Sequence, residues 1–164
     1  DPPRDKVRGA DLILAPADGK VVGIIQIDEP TFLGGPATRV AIFMNVFNVH
    51  VNRYPCDGNV ELRQYTAGKF LNAGVEKAST ENEQSTIGLT TARGRILLRQ
   101  IAGLVARRII TDHTEGHPAR QGERLGLIRF GSRVDVFLPP NVELLVKPGD
   151  LTKAAETVVA KWKS

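Results

Sequence analysis

LGLIRFGSRVDVFLPPNVELLV, residues 125–146, contains three short apolar runs separated by residues that favour turns. Gly131–Ser132 separates the first run from the second, and Pro139–Pro140 separates the second from the third. Gly and Pro interrupt extended segments, whereas β-branched and aromatic residues favour strands. This pattern predicts strands at residues 125–130, 135–138 and 143–146.

The same alternation of apolar runs and turns continues outward in both directions. Further strands are predicted at residues 20–27, within 39–51, and at 59–65, 86–91, 94–100 and 104–110. A short helix is predicted at 74–84 and a polar loop at 112–123, while the tail from Leu151 suits a helix or a strand. Strands at such spacing predict a mainly β fold, a barrel-like arrangement or sandwich of short strands with minor helix. Residues 16–24 (PADGKVVGI) and 146–160 (VKPGDLTKAAETVVA) resemble elements of lipoyl-like barrels.

Composition predicts one domain, residues 1–164, with a charged, Pro-rich N-terminal arm at 1–11. The net charge of +4 suits anionic partners, and an aromatic content of 5% argues against nucleic acid. The single cysteine, Cys56, excludes an intrachain disulfide and is expected to be a packed side chain.

The longest strictly apolar run spans five residues, 40–44, too few to cross a membrane. Because the chain begins without Met, we expect a fragment or a trimmed chain that an anchor could precede.

Three residues far apart in sequence could form a nucleophilic relay. Asp18 lies at a predicted turn, His50 in an apolar run and Ser132 after Gly131. A carboxylate can orient an imidazole, which then accepts the proton of an attacking hydroxyl. Spacing alone leaves open a turn aspartate, a core histidine and a bend serine instead.

Five blocks, in order along the chain, resemble the short form of the phosphatidylserine decarboxylase family. They are residues 15–22 (APADGKVV), 48–58 (NVHVNRYPCDG), 68–83 (GKFLNAGVEKASTENE), 100–108 (QIAGLVARR) and 124–139 (RLGLIRFGSRVDVFLP). Together they extend over nearly the whole chain after the first dozen residues. Five ordered blocks identify the family far more specifically than one would.

The resemblance implies a proenzyme that cuts its own main chain between Gly131 and Ser132. The fragments would be residues 1–131 and 132–164, with Ser132 converted to a covalent pyruvoyl cofactor. Asp18, His50 and Ser132 would form the processing triad. The ketone would act as an electron sink for decarboxylation of phosphatidylserine to phosphatidylethanolamine and carbon dioxide.

The resemblance also indicates how the protein would meet its substrate. Asn52 and Arg53 are candidate substrate-binding residues because a phosphate and a carboxylate require amide or cationic donors. An anionic phospholipid implies a membrane surface as partner, and we expect the bacterial cytoplasmic membrane, reached peripherally or through an anchor outside this chain. A homo-oligomer is a further expectation. Some longer members have a second histidine where this chain has Phe47, so that residue's role does not transfer.

Two other classes of function fit parts of the sequence. A non-catalytic lipoyl-like carrier or interaction module would stay uncut, and a serine hydrolase using Asp18, His50 and Ser132 would keep the Ser132 hydroxyl. His113 and His117 are four residues apart, but Gly116 and Pro118 predict a loop, and the sequence shows no third ligand. We therefore expect no metal.

Overall fold

A computed structural model describes residues 8–44, 51–69, 82–103, 109–128 and 131–163. Within these ranges the chain forms short strands and turns, and no helix. The strands are β1 (Leu12–Leu14), β2 (Gly19–Glu29), β3 (Gly35–Met44), β4 (Val51–Arg53), β5 (Gly58–Thr66), β6 (Gln84–Thr90), β7 (Arg95–Ile101), β8 (Ile109–Thr111), β9 (Pro118–Ala119), β10 (Arg124–Ile128), β11 (Ser132–Leu138), β12 (Val142–Leu144), β13 (Leu151–Thr152) and β14 (Val158–Trp162).

The described strands form three sheets. The largest has eight strands in the order β13-β2-β3-β11-β7-β6-β5-β9 and curls into a half-barrel. Two three-stranded sheets, β1-β14-β12 and β4-β10-β8, complete the architecture. The predicted mainly β fold is confirmed. Residues 132–138 form β11, a central strand between β3 and β7.

The alternation along β11 explains its position inside the protein. Val134, Val136 and Leu138 face the main apolar core, whereas Phe137 packs in a second cluster with Phe32 and Leu97. Successive side chains of a strand point to opposite faces, so a strand with both faces buried belongs in the middle of a sheet. All seven residues of β11 are buried.

Several predicted boundaries differ from the observed ones. β11 begins at Ser132 rather than at residue 135, because Ser132 and Arg133 continue the ladder to Met44 and Phe43 of β3. The polar loop at 112–123 contains the two-residue strand β9, which pairs with β5. The helix predicted at 74–84 lies mostly outside the described residues, and Gln84 begins β6. The tail forms strands β13 and β14.

The two stretches that resemble lipoyl-like elements pack against each other. Leu151 of β13 pairs with Lys20 of β2, and the Thr152 hydroxyl donates to the Ala17 carbonyl at 2.8 Å. The Val21 amide donates to the carbonyl of Asp150 at 2.9 Å. This contact fixes the turn at which Asp18 lies.

Candidate active site

The Gly131–Ser132 pair lies at the start of β11, with Ser132 as its first residue. Gly131 has a φ of +76° and its amide donates to the Met44 carbonyl at 2.8 Å. Among the described residues, no heavy atom would lie within 4 Å of a Cβ at this position. The left-handed conformation, not lack of space, is therefore what requires glycine here. Ser132 is fully buried, and its hydroxyl lies 3.7 Å from the Met44 sulfur.

Asp18 is a buried carboxylate held beside the end of β3. Its Oδ1 accepts a hydrogen bond from the Ala154 amide at 2.7 Å. The following Gly19 approaches β3 so closely that a Cβ there would lie 2.3 Å from the Phe43 carbonyl oxygen. Close packing of the two strands therefore requires glycine at position 19.

The sheet brings Asp18 and Ser132 to the same end of β3. Lys20 of β2 pairs with Phe43, and Ser132 of β11 pairs with Met44. Strands that flank a common neighbour are about 10 Å apart, a gap that one intervening side chain can bridge. His50, the third member of the predicted triad, lies outside the described residues, as does Phe47. The relay therefore stays a prediction.

Asn52 lies in the interior and contacts the same methionine as Ser132. The side chain of Asn52 is fully buried, and its Nδ2 lies 3.8 Å from the same Met44 sulfur that contacts the Ser132 hydroxyl. The Gln100 Nε2 donates to Asn52 Oδ1 at 2.9 Å. Because the Asn52 oxygen accepts this bond, its amide N–H groups are directed away from Gln100, towards Met44.

A chain of hydrogen-bonded polar side chains, buried at Gln100 and Ser85 and half-buried at Thr111, supports Asn52. Thr111 donates its hydroxyl to Gln100 Oε1 at 2.8 Å, and Ser85 lies 2.8 Å from the Thr111 hydroxyl. Gln100 also donates to the Ile110 carbonyl at 3.2 Å. The sequence predictions did not include this chain. The available signal is that Gln100 alternates with Ile96 and Leu98, two core residues, so it occupies a core-facing position.

Arg53, the residue after Asn52, hydrogen-bonds to backbone carbonyls of two neighbouring turns. Its Nη1 donates to the Gly122 carbonyl at 2.9 Å, and its amide donates to the Pro16 carbonyl at 2.9 Å. Arg53 thus ties the end of β4 to the turn before β10. Its predicted role in binding substrate stays a prediction.

Arg133 lies on the opposite face of β11 from Ser132, in a buried ionic cluster. Its Nε and Nη2 contact the two Asp135 carboxylate oxygens at 2.9 and 3.2 Å, and Arg39 Nε lies 3.9 Å from Asp135. Burial raises the pKa of the Asp135 carboxyl, while the neighbouring guanidinium groups oppose that rise. Burial also lowers the pKa of Arg99, whose guanidinium packs on the Phe137 ring.

The predicted loop containing His113 and His117 brings both imidazoles to Glu123. His117 Nε2 lies 3.1 Å from each Glu123 carboxylate oxygen, and His113 Nε2 lies 3.6 Å from Oε2. The sequence predictions did not include Glu123, because no helical or strand periodicity relates it to the two histidines. A turn at residues 120–123 brings it back to them.

Comparison with known proteins identifies the family. The family model described as "Phosphatidylserine decarboxylase" matches residues 1–160. A protein of Nitrosomonas eutropha is 45% identical over 99% of this chain and 76% of its own length. Proteins of Symbiobacterium thermophilum and Magnetococcus marinus are each 46% identical, over 98% and 99% of this chain and 75% of their own lengths. All three bear the name "Phosphatidylserine decarboxylase proenzyme". The resemblance seen in the five sequence blocks is thereby confirmed, and the chain belongs to the phosphatidylserine decarboxylase family.

Proposed function

We propose that this protein decarboxylates phosphatidylserine to phosphatidylethanolamine and carbon dioxide with a pyruvoyl group made from its own Ser132. The observation that carries the proposal is a left-handed Gly131 joined to a buried Ser132, at the entry to a central strand, in a chain whose relatives are named proenzymes. Such a junction suits a backbone that must accept attack by the next side chain.

Self-processing begins with attack of the Ser132 Oγ on the Gly131 carbonyl carbon. The hydroxyl proton passes to His50, held in the correct tautomer by Asp18, and then to the departing Ser132 nitrogen, so that the peptide C–N bond breaks as the ester C–O bond forms. Loss of the Ser132 α-proton then expels Gly131 as a carboxylate. Water hydrolyses the remaining enamine, releasing ammonia and leaving a ketone at the new N-terminus.

The residues around Ser132 fit the group that this chemistry would leave. Ser132 is fully buried, and Asn52, which contacts the same Met44 sulfur, is a neutral donor oriented by Gln100. A pyruvoyl group at Ser132 would supply an electron sink for decarboxylation. Asn52 would orient the bound head group, and His50 would return a proton to the Cα of the product.

The fold explains how the two fragments would stay together after the cut. The smaller fragment, 132–164, contributes β11, which pairs with β3 on one side and β7 on the other. It also contributes β14, which pairs with β1. These ladders join the fragments through backbone hydrogen bonds along both edges of β11, so the cut protein should remain one folded unit.

A phospholipid substrate requires work at a membrane surface, and we propose that the protein acts at the bacterial cytoplasmic membrane. In the parts of the chain that the structure describes, no helix has the length and hydropathy needed to span a bilayer. A vesicle co-sedimentation assay distinguishes attachment through the surface of this domain from attachment through a further segment. Residues 1–164 alone should pellet with vesicles of phosphatidylserine if the surface suffices.

Intact mass spectrometry tests the proposed processing. Wild-type protein should give two fragments, with the smaller one beginning in a ketone that reacts with a hydrazide reagent. Ser132→Ala should give one uncut chain that folds normally. Thr31→Ala, which removes an exposed hydroxyl remote from the cut, should be processed like the wild type. A cut Ser132→Ala chain, or a lasting Ser132 hydroxyl labelled by a fluorophosphonate, would overturn the proposal.

A further inference from the structure

A second polar cluster lies at the opposite end of β10 from Gly131 and has no part in the proposed reaction. It consists of His113, His117 and Glu123, with Tyr54 behind them. One ring nitrogen of each histidine and a carboxylate oxygen of Glu123 all lie within 4.8 Å of one another. The group therefore gathers two nitrogen donors and one oxygen donor at one point.

Surrounding hydrogen bonds hold His113 and Glu123 at the cluster before any ligand arrives. The Tyr54 hydroxyl lies 2.9 Å from His113 Nδ1, which leaves Nε2 as the nitrogen facing the cluster. The Arg120 amide donates to Glu123 Oε1 at 3.0 Å. The Tyr54 amide donates to the Glu123 carbonyl at 2.9 Å. Metal-binding histidines are commonly oriented in this way, through a partner on the other ring nitrogen.

The cluster is also open on one side. The side chains of His113, His117 and Glu123 are 24%, 23% and 31% exposed. A bound ion could thus enter from solvent and retain a water molecule as a further ligand. Two imidazoles and one carboxylate form a donor set that suits Zn²⁺ and neighbouring transition metals.

We propose that His113 Nε2, His117 Nε2 and the Glu123 carboxylate bind one Zn²⁺-like divalent ion. The ion joins the loop at residues 112–117 to the turn before β10. It would act as a structural clamp, because the site lies at the far end of β10 from the predicted cut. Tyr54 is a positioning residue, which accepts the Nδ1–H of His113 when Nε2 binds the metal.

Metal binding requires the imidazole rings of His113 and His117 to change orientation. They are stacked in parallel, with centroids 3.5 Å apart and an interplanar angle of 0°. A metal lies in the plane of each imidazole that binds it, so the rings must splay by rotation about Cβ–Cγ. Zn²⁺ should therefore shift the NMR signals of the His113 and His117 ring protons together.

The test is a titration of metal-free protein with Zn²⁺ alone. Calorimetry measures the binding, and the melting temperature measures its effect on stability. We expect one ion per chain and a higher melting temperature. His117→Gln and Glu123→Gln should each abolish this binding, whereas Glu115→Gln, which removes an exposed carboxylate from the same loop, should retain it. Tyr54→Phe keeps the ring and should weaken binding about 10- to 100-fold.

Three outcomes would overturn the site. They are wild-type binding no tighter than that of a His113→Gln, His117→Gln double variant, unchanged affinity in Glu123→Gln, and histidine signals that do not move. Circular dichroism of each metal-free variant shows whether it is folded. Should Glu123→Gln unfold, His117→Gln and Tyr54→Phe decide the question. Because cleavage at Gly131 is not measured, failure here is distinct from failure of the proposed function.

Discussion

Ser132 pairs with Met44 across the β11–β3 ladder, and the Met44 sulfur lies 3.7 Å from the Ser132 hydroxyl and 3.8 Å from Asn52 Nδ2. One thioether thus fills the space between the predicted nucleophile and a candidate binding residue. Met44 belongs to the main apolar core, so the chemistry is built directly on the packing that stabilises the fold.

Shortening Met44 should destabilise the protein by leaving a cavity beside Ser132. Met44→Ala is expected to lower the free energy of unfolding by about 2–5 kcal/mol. Met44→Leu conserves most of the volume and should cost less than about 1.5 kcal/mol. Urea denaturation in a Ser132→Ala background measures both changes on an uncut chain. Equal costs for the two variants would show that packing at Met44 is unimportant.

Replacing Gly131 should slow self-cleavage through strain. A left-handed alanine costs about 1–2 kcal/mol, and relief of that strain would move the Gly131 carbonyl away from the Ser132 hydroxyl. Gly34→Ala is the matched control, because Gly34 has a φ of +74°, has open space around it and lies in the hairpin at the far end of β2 and β3.

We therefore expect Gly131→Ala to lengthen the half-time of fragment formation at least severalfold, and Gly34→Ala to leave it unchanged. Electrophoresis of freshly synthesised chain gives both half-times. Cleavage of Gly131→Ala at the wild-type rate would count against a conformational role for this glycine.

Removing Gln100 should uncouple Asn52 from its support. Gln100→Leu leaves the buried Asn52 oxygen without its donor, and an unsatisfied buried polar group costs about 1–3 kcal/mol. In a double-mutant cycle with Asn52→Leu, the two changes should be non-additive by about 0.5–3 kcal/mol. Urea denaturation in the Ser132→Ala background provides the four values needed. Strict additivity would contradict the positioning of Asn52 by Gln100.

Cys56 should resist alkylation in the native protein. Burial is the main cause that raises the pKa of the Cys56 thiol to about 12, and the thiolate is the reactive form. At pH 8, iodoacetamide should label the folded protein more than about a hundredfold more slowly than the urea-unfolded protein. Equal labelling rates in the two states would show that the thiol is accessible and reactive.

The raised pKa of Cys56 also makes the free energy of unfolding depend on pH. Because the folded pKa lies above the unfolded one, the contribution of Cys56 is fully present below about pH 9 and is lost as pH rises towards 12. Cys56→Ala should lack this part of the alkaline destabilisation. The comparison requires unfolding measured at pH 8 and pH 10.5 for both proteins, and identical slopes would contradict it.

Local chemistry alone predicted most of the strands. An apolar run with β-branched residues identified the region of β2, and the Pro139–Pro140 pair ended β11 where the structure ends it, at Leu138. These features depend on neighbours within a few residues, which a single sequence displays directly. The start of β11 was missed because Ser132 and Arg133 are extended by pairing with β3, a partner about ninety residues earlier.

The sequence by itself determined the residue types that carry the proposed chemistry, among them the Gly131–Ser132 pair and Asp18. Only the tertiary structure decided that Asp18 and Ser132 flank the same end of β3, that Gln100 holds Asn52, and that Glu123 meets two histidines. The reason is that periodicity reports which way a side chain points within its own strand. Which distant strand it then faces is set by sheet register and by packing of the whole core.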